Sequence, residues 1–215
     1  MSPIQPPAIA PKRSDRLSSD KADAILQGAI QAFLAQGYAA TSMDRVAAAA
    51  GVSKATVYSH FQDKEGLFTA LVKRMAQRKI SLLHGAQSVQ GEPQVVLSQL
   101  LSTALNQIRA DPQHLAFMRL IIGESGRFPE LAQIFVQNMA KPGIGLLSQY
   151  FAAQPNLQLT DPEATARIVI GALVHYILIQ DMLQGKDIVP MDQELLIAAL
   201  IQMILGAAAQ SPLTS

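Results

Sequence analysis

The chain has 215 residues, 49% of them hydrophobic and 15% charged, with no cysteine and no tryptophan. It is long enough for a substantial core in one large domain or two small ones, and it excludes a disulfide scaffold and any thiolate metal site. A net charge of +1 hides an asymmetry: residues 1–84 hold 11 lysines and arginines against 6 acids, residues 85–215 hold 6 against 10, so the first part would attract a phosphate backbone.

The first stretch, rich in proline and serine and carrying Lys12, Arg13 and Arg16, reads as a disordered basic arm over 1–17. It has no continuous apolar segment of the kind a secretory signal needs, and a cytoplasmic location is expected. Ser18 or Ser19 can cap a long helix from about Asp20 to Gln36. Its apolar stripe is Ala22, Ile25, Leu26, Ala29, Ile30, Phe33 and Leu34, at helical spacing, and Gly37 closes it.

Residues 41–68 then read T-S-M-D-R-V-A-A-A-A-G-V-S-K-A-T-V-Y-S-H-F-Q-D-K-E-G-L-F. Thr41 or Ser42 can cap a short helix with Met43, Val46, Ala47 and Ala50 on one face, and Gly51 stops it. Val52 is expected as the buried hinge of a tight turn, and Ser53 as the cap of a second short helix, Lys54 to Phe61. Two short helices joined by a turn containing glycine make a helix-turn-helix. Val57 and Phe61 should face inward, completing a small core with Phe33, Val46 and Val52. Lys54, Ala55, Thr56, Ser59 and His60 are left outside, with Tyr58 at the edge. Small residues beside donors suit a helix entering a major groove, where alanine and a threonine methyl meet thymine and Lys54, Thr56 and His60 meet bases or phosphates. Asp63 should cap a fourth helix, reaching about Leu83. Lys64 then stands at the positive end of that helix, where a docked phosphate would relieve it.

Beyond a break at 85–91, the pairs E-P, D-P and F-P start helices at Pro93, Pro112 and Pro129. The first should run to Arg109, the second to about Gly123 or Ser125, and the third through Phe135. M-A-K-P-G at 139–143 is expected to interrupt or kink the chain before helical spacing resumes from Ile144 to Phe151. The last two helices, from Thr160 or Asp161 to about Leu183 and from Asp192 onward, are apolar nearly all round. Their uncharged runs fall short of a membrane span, so no membrane is expected. One face for the core and another for a twin subunit accounts for them better. An effector pocket in this half should be mainly apolar, with candidates Phe117, Met118, Ile121, Phe135, Met139, Leu147, Phe151, His175, Tyr176 and Gln180. A lipophilic or aromatic, weakly charged effector is expected. The histidines at 60, 84, 114 and 175 lack metal-ligand spacing, and neither a catalytic residue, a metal nor a cofactor is expected. The reading that competes is a helical dimeric interaction module without DNA binding.

The run T-V-Y-S-H-F-Q-D-K-E-G-L-F, behind its capped alanine-rich helix, resembles the DNA-binding motif of the TetR family of bacterial transcriptional regulators. The resemblance covers about residues 20–68 well. It implies an all-α fold of about nine helices: a DNA-binding head over 18–62, joined by the fourth helix to a ligand-binding and dimerisation domain over 63–210. It implies a homodimer through the last two helices, binding a palindromic double-stranded DNA operator and released by a small-molecule effector. Thr41, Ser42 and Lys64 would then meet phosphates, and Arg45, Ser53, Lys54, Ala55, Thr56, Tyr58, Ser59 and His60 would complete the DNA surface. Repression is the usual outcome the resemblance implies, with activation by the same fold as the alternative. R-L-I-I-G-E-S-G-R-F-P-E-L, Arg119 to Leu131, is loosely similar to the AefR-type branch of the family's ligand-binding domains.

Overall fold

The structure is a computed structural model that describes residues 13–87 and 91–209. Its helices are α1 Arg13–Ala40, α2 Met43–Ala50, α3 Lys54–His60, α4 Lys64–Gln87, α5 Pro93–Arg109, α6 Pro112–Glu124, α7 Pro129–Phe135, α8 Lys141–Ala152, α9 Pro162–Ile177 and α10 Gln193–Ala209. α7 runs into α8 through a π turn, Val136–Ala140, so the described residues form nine helical rods and no strand. Pro142 explains the turn: it has no N–H to donate and its ring crowds the carbonyl four residues back, so the helix loosens just before it. The M-A-K-P-G segment thus deforms a continuous helix.

Two expectations at the start of the chain change. α1 begins at Arg13, inside the expected arm, so Ser18 and Ser19 lie within the helix rather than at its start. The rest of that expectation, residues 1–12, lies outside the described residues. Gly37 breaks the helical run as expected, at φ 79° and ψ 168°, a conformation that a side chain would oppose.

The chain divides into two compact units within α4, one ending at Leu71 and the other starting at Val72, rather than at 62/63. The reason is packing: Leu67, Phe68 and Leu71 are fully buried, and the Phe68 ring stands edge-on to Phe33 at 5.7 Å and Tyr38 at 5.5 Å. The first turns of α4 therefore belong to the core of the first unit, with Ile25, Leu26, Ala29, Ile30, Val46, Ala47 and Val57. α1 and α2 approach closely at Gly28, where a Cβ would stand 2.6 Å from the Ala50 nitrogen and 2.8 Å from its Cα. Val52, in the turn before α3, and Phe61 are half-buried rather than inside; for Phe61 the reason is that α3 ends at His60 and Phe61 is already extended, at φ −136° and ψ 118°.

The second unit encloses a core from α5 (Leu97, Leu100, Leu101, Leu105), α8 (Leu147, Phe151), α9 (Ala166, Val169, Leu173, Tyr176, Ile177) and α10 (Ile197, Leu200, Ile201, Ile204). Its helix starts follow the Asp-capped pattern. Asp111 Oδ1 accepts from the His114 amide at 3.0 Å, Asp161 from Glu163 and Ala164, and Asp192 from Glu194 and Leu195. α9 continues through a second π turn, Leu178–Met182. The combined helix, Pro162–Met182, has 21 residues and by length and composition alone could cross a bilayer, although its uncharged run, Ile168 to Gln180, stays short of a span. In this fold its inner side is core instead. A polar lattice holds the second π turn. Arg109 Nε donates to both Asp181 carboxylate oxygens at 3.0 and 3.2 Å, and Arg119 Nη2 to the carbonyls of Asp181 and Met182.

Candidate nucleic-acid interface and effector cavity

Both short helices of the first unit are held by local chemistry. Ser42 is the cap of α2, its hydroxyl accepting from the Arg45 amide at 3.3 Å. Gly51 ends α2 in the left-handed region at φ 66°, which glycine adopts without steric cost. Ser53 caps α3, accepting from the Thr56 amide at 3.1 Å. Val57 is fully buried and is the one inward anchor of the seven-residue α3.

The outward face of α3 presents Lys54, Ala55, Tyr58 and Ser59, all exposed. Lys54 Nζ lies 2.7 Å from Asp44 of α2, and the hydrogen bond and charge of that carboxylate push the Lys54 pKa above the ordinary lysine value. Its ammonium also stands 6.0 Å from the Tyr58 ring centroid. Thr56 is half-buried and its hydroxyl lies 2.8 Å from the Ser53 hydroxyl, and the Ser59 hydroxyl donates to the Thr56 carbonyl. His60 sits half-buried with its ring 6.2 Å from Phe61. Arg45 is exposed on α2, with Nη1 at 3.4 Å from the Ala40 carbonyl.

Two residues expected on phosphates are placed otherwise. Thr41 is only 2% exposed; its hydroxyl donates to the Gly37 carbonyl at 2.8 Å and the Ala32 carbonyl at 3.1 Å. It closes the end of α1 and leaves the exposed position to Ser42. Lys64 is half-buried and donates to main-chain carbonyls of the α1–α2 link. The sequence reading missed Asp44 as the partner of Lys54 and Tyr38 as the ring beneath Lys64, whose Nζ lies 4.3 Å from its centroid. Asp44 and Lys54 are ten positions apart on different helices, so only the angle of the hairpin joins them.

In the second unit, three of the ten expected effector residues come together. His175, Tyr176 and Gln180 line an open cavity of about 640 Å³ with Ala172, Ile179, Ile188, Val189, Pro190, Met191 and Leu196. The Gln180 amide donates to the Val189 carbonyl at 2.8 Å, fixing the apolar segment that forms one wall. No ionisable residue other than His175 and Tyr176 lines it. Phe117, Ile121, Leu147 and Phe151 are instead buried in packed core. Met118, Phe135 and Met139 are half-buried and line none of the described cavities. The missed wall, I-V-P-M at 188–191, carried a signal in the sequence: four apolar residues in a connection, where polar ones are the rule.

Comparison with known proteins places these features. Residues 25–71 match the tetR family of bacterial regulatory proteins, and residues 96–209, more than half of the chain, match the AefR-like transcriptional repressor C-terminal domain. The repressor BepR of Brucella suis is 28% identical over 112 residues, covering 51% of this chain and 53% of that protein. The chain spans from about a third to about half of the length of the curated relatives it matches. A TetR-family transcriptional regulator from Mesorhizobium loti superposes with a TM-score of 0.74 at 27% identity, over 91% of this chain and 98% of the other. The flavonoid-responsive regulator FrrA superposes with a TM-score of 0.67 at 30% identity, over 88% of this chain and 97% of FrrA. With a helix-turn-helix head and a matching helical body, the chain belongs to the TetR family of bacterial transcriptional regulators, with a C-terminal domain of the AefR-like type.

Proposed function

We propose that the protein is a homodimeric repressor that holds a palindromic operator and releases it on binding a lipophilic or aromatic, weakly charged effector. The observation that carries the DNA half is the outward face of α3. Ala55 and Ser59 leave it thin enough for a major groove, and Lys54 and Tyr58 flank it with donors. Ser42 and Arg45 sit exposed at the start of α2, where a helix amino end favours a phosphate.

The dimer reading rests on what a single chain leaves uncovered. Opposite their core faces, α9 exposes Ile168 (63%) and Val174 (50%), and α10 exposes Leu195 (67%) and Met203 (66%). Gly171 and Gly206 lie on these helices with nothing within 4 Å of a built Cβ, so a second copy could approach closely. Two such helices from each copy make a four-helix bundle. The effector reading rests on the cavity at His175, Tyr176 and Gln180, whose apolar wall and three polar side chains suit a flat aromatic ligand. The flavonoid response of FrrA points the same way.

Duplex titration at several salt concentrations tests the DNA half. Arg45 and Lys54 from two subunits neutralise about four phosphates, so log K should fall against log salt with a slope of about −3.6; a salt-independent constant would refute it. For the effector half, planar aromatic compounds should raise the melting temperature and weaken duplex binding together. A panel that binds nowhere and releases nothing would refute that part alone.

A further inference from the structure

A π turn spoils the hydrogen-bond geometry of a helix, so it persists only where contacts outside the helix favour it. At the end of α9 the Leu183 amide donates to the Leu178 carbonyl, five residues back, at 2.9 Å, where an α-helix would use Ile179. Three sets of contacts favour this register. Arg109, the last residue of α5, donates from Nε to both Asp181 carboxylate oxygens and from Nη1 to the Gln193 side chain at 3.0 Å. Its guanidinium also lies 5.4 Å from the centroid of the Tyr176 ring, within cation–π range. Arg119 of α6 donates to the Asp181 and Met182 carbonyls at 3.0 and 3.1 Å. The connection after α9 then folds back onto the turn. A Cβ on Gly185 would stand 2.8 Å from the Ile179 carbonyl oxygen, so only glycine fits there, and the Gln180 amide donates to the Val189 carbonyl at 2.8 Å. Ile179, Gln180 and Val189 line the cavity with Tyr176. Were α9 to wind on as an ordinary helix, the residues after Leu178 would turn by about 100°. That turn would part Asp181 from Arg109 and Gln180 from Val189 together.

We propose that Arg109, with Asp181, is a positioning residue of the effector site: the pair holds α9 in the π register, and that register builds the cavity wall from Ile179, Gln180 and the 188–191 segment. Neither Arg109 nor Asp181 lines the cavity; they act through the turn and through the Tyr176 ring. An ion pair fully in water would contribute little. This one is sheltered, with the two side chains 36% and 19% exposed, and its guanidinium ties α5 to both α9 and α10. The inference rests on the effector reading and adds to it the residues outside the cavity that decide its shape.

The test compares wild type with Arg109→Met, which keeps an apolar stem against Tyr176, with Asp181→Asn, with the double variant and with Arg109→Lys. Amide hydrogen exchange is followed over 178–191 and over α5. Affinity is measured for two planar aromatic probes, flavone and anilinonaphthalene sulfonate, and for a labelled duplex without probe. Arg109→Met and Asp181→Asn should each speed exchange over 178–191 alone, weaken probe binding roughly tenfold and leave duplex affinity unchanged. The two single losses should sum to more than the loss in the double variant, because they break one shared contact. Arg109→Lys keeps the charge but not the planar fork, so it should fall between; with Asp181→Asn it also carries the comparison if Arg109→Met does not fold. Full probe affinity in the folded variants, or unchanged exchange over 178–191, would overturn the proposal. Faster exchange throughout the body, with duplex affinity lost as well, would reduce the pair to a stability role and overturn it equally. A wild type that binds neither probe would overturn the effector reading and the role of Arg109 in it together, and that outcome is read from the wild type alone.

Discussion

Gly28→Ala sets two opposing effects against each other, and the structure decides which wins. In an open helix interior, alanine in place of glycine gains about 1 kcal/mol. Gly28 is not open. The new Cβ would stand 2.6 Å from the Ala50 nitrogen, 2.8 Å from its Cα and 2.8 Å from its Cβ, and two of those three atoms are backbone that cannot rotate away. Ordinary carbon contacts need about 3.5 Å or more, so α1 and α2 must part by most of an ångström along a seam that buries Ile25, Ala29, Val46 and Ala47. Overpacking of this kind costs about 1–3 kcal/mol, so the net loss should be about 1 kcal/mol. In a unit this small that lowers the melting temperature by about 5 °C. Gly123→Ala is the control: Gly123 lies within α6 and has nothing within 4 Å of a built Cβ, so its melting point should hold or rise. Both are read by thermal melting followed by circular dichroism. If Gly28→Ala melts at or above wild type, the close approach of α1 to α2 is not a real constraint and the reasoning fails.

Three further outcomes separate roles that the sequence alone runs together. Thr41→Val keeps the shape but deprives the Gly37 and Ala32 carbonyls of the donated hydrogen bonds, so denaturant titration should show a loss of about 1–2 kcal/mol with the salt slope of duplex binding unchanged. A shallower slope with full stability would return Thr41 to the phosphates. Asp44→Asn removes the carboxylate that holds Lys54, which should tighten binding to every duplex and lower the Lys54 pKa toward the usual lysine value; weaker binding would mean that the pair positions Lys54 for its contact. Gly171→Leu adds bulk where the chain itself has nothing within 4 Å. It should therefore leave folding intact while sedimentation shows dimer lost to monomer, and an unaffected dimer would rule out a close helix approach at that point.

What could be read from the sequence was whatever local chemistry settles. Asp before Pro fixes a helix start within two residues, and α6 and α9 begin where that pattern places them. Gly37 and Gly51 end helical runs at positive φ, a demand visible in residue type. Burial is a different matter. Val52 and Phe61 carry the right hydrophobicity and spacing for the core, but both are half-buried, Phe61 because α3 ends one residue before it, and nothing near them in the sequence announces it. The effector residues fail for a related reason. Phe117, Ile121, Leu147 and Phe151 have the same apolar periodicity whether they fill a core or line a pocket, and here they fill the core. Lys64 is the most instructive position. The helix-dipole rule read correctly that a cation there needs a partner, but the carbonyls that serve it lie 23 to 26 residues earlier. Only the folded head brings them within reach.

The head has divided its labour in a way that matters for how its specificity could change. A seven-residue helix such as α3 cannot hold itself in water. What holds it is a short set of residues: Gly51 in the turn, the Ser53 cap, the buried Val57 and, one step back, the Ser42 cap and the closed link at Thr41. None of these needs to touch a base. Lys54, Ala55, Tyr58 and Ser59 have the complementary position, exposed and outside the packing that holds α3 in place. Substitutions among them therefore act on DNA with little effect on folding, whereas substitutions at Gly51, Ser53 or Val57 act on folding first and lose DNA as a consequence. Thr56 belongs to both groups, because its amide and hydroxyl are engaged by the Ser53 cap while the residue is only half-buried, next to exposed Ala55. A change at Thr56 should consequently shift sequence preference and head stability together, and that joint signature distinguishes it from its neighbours on either side.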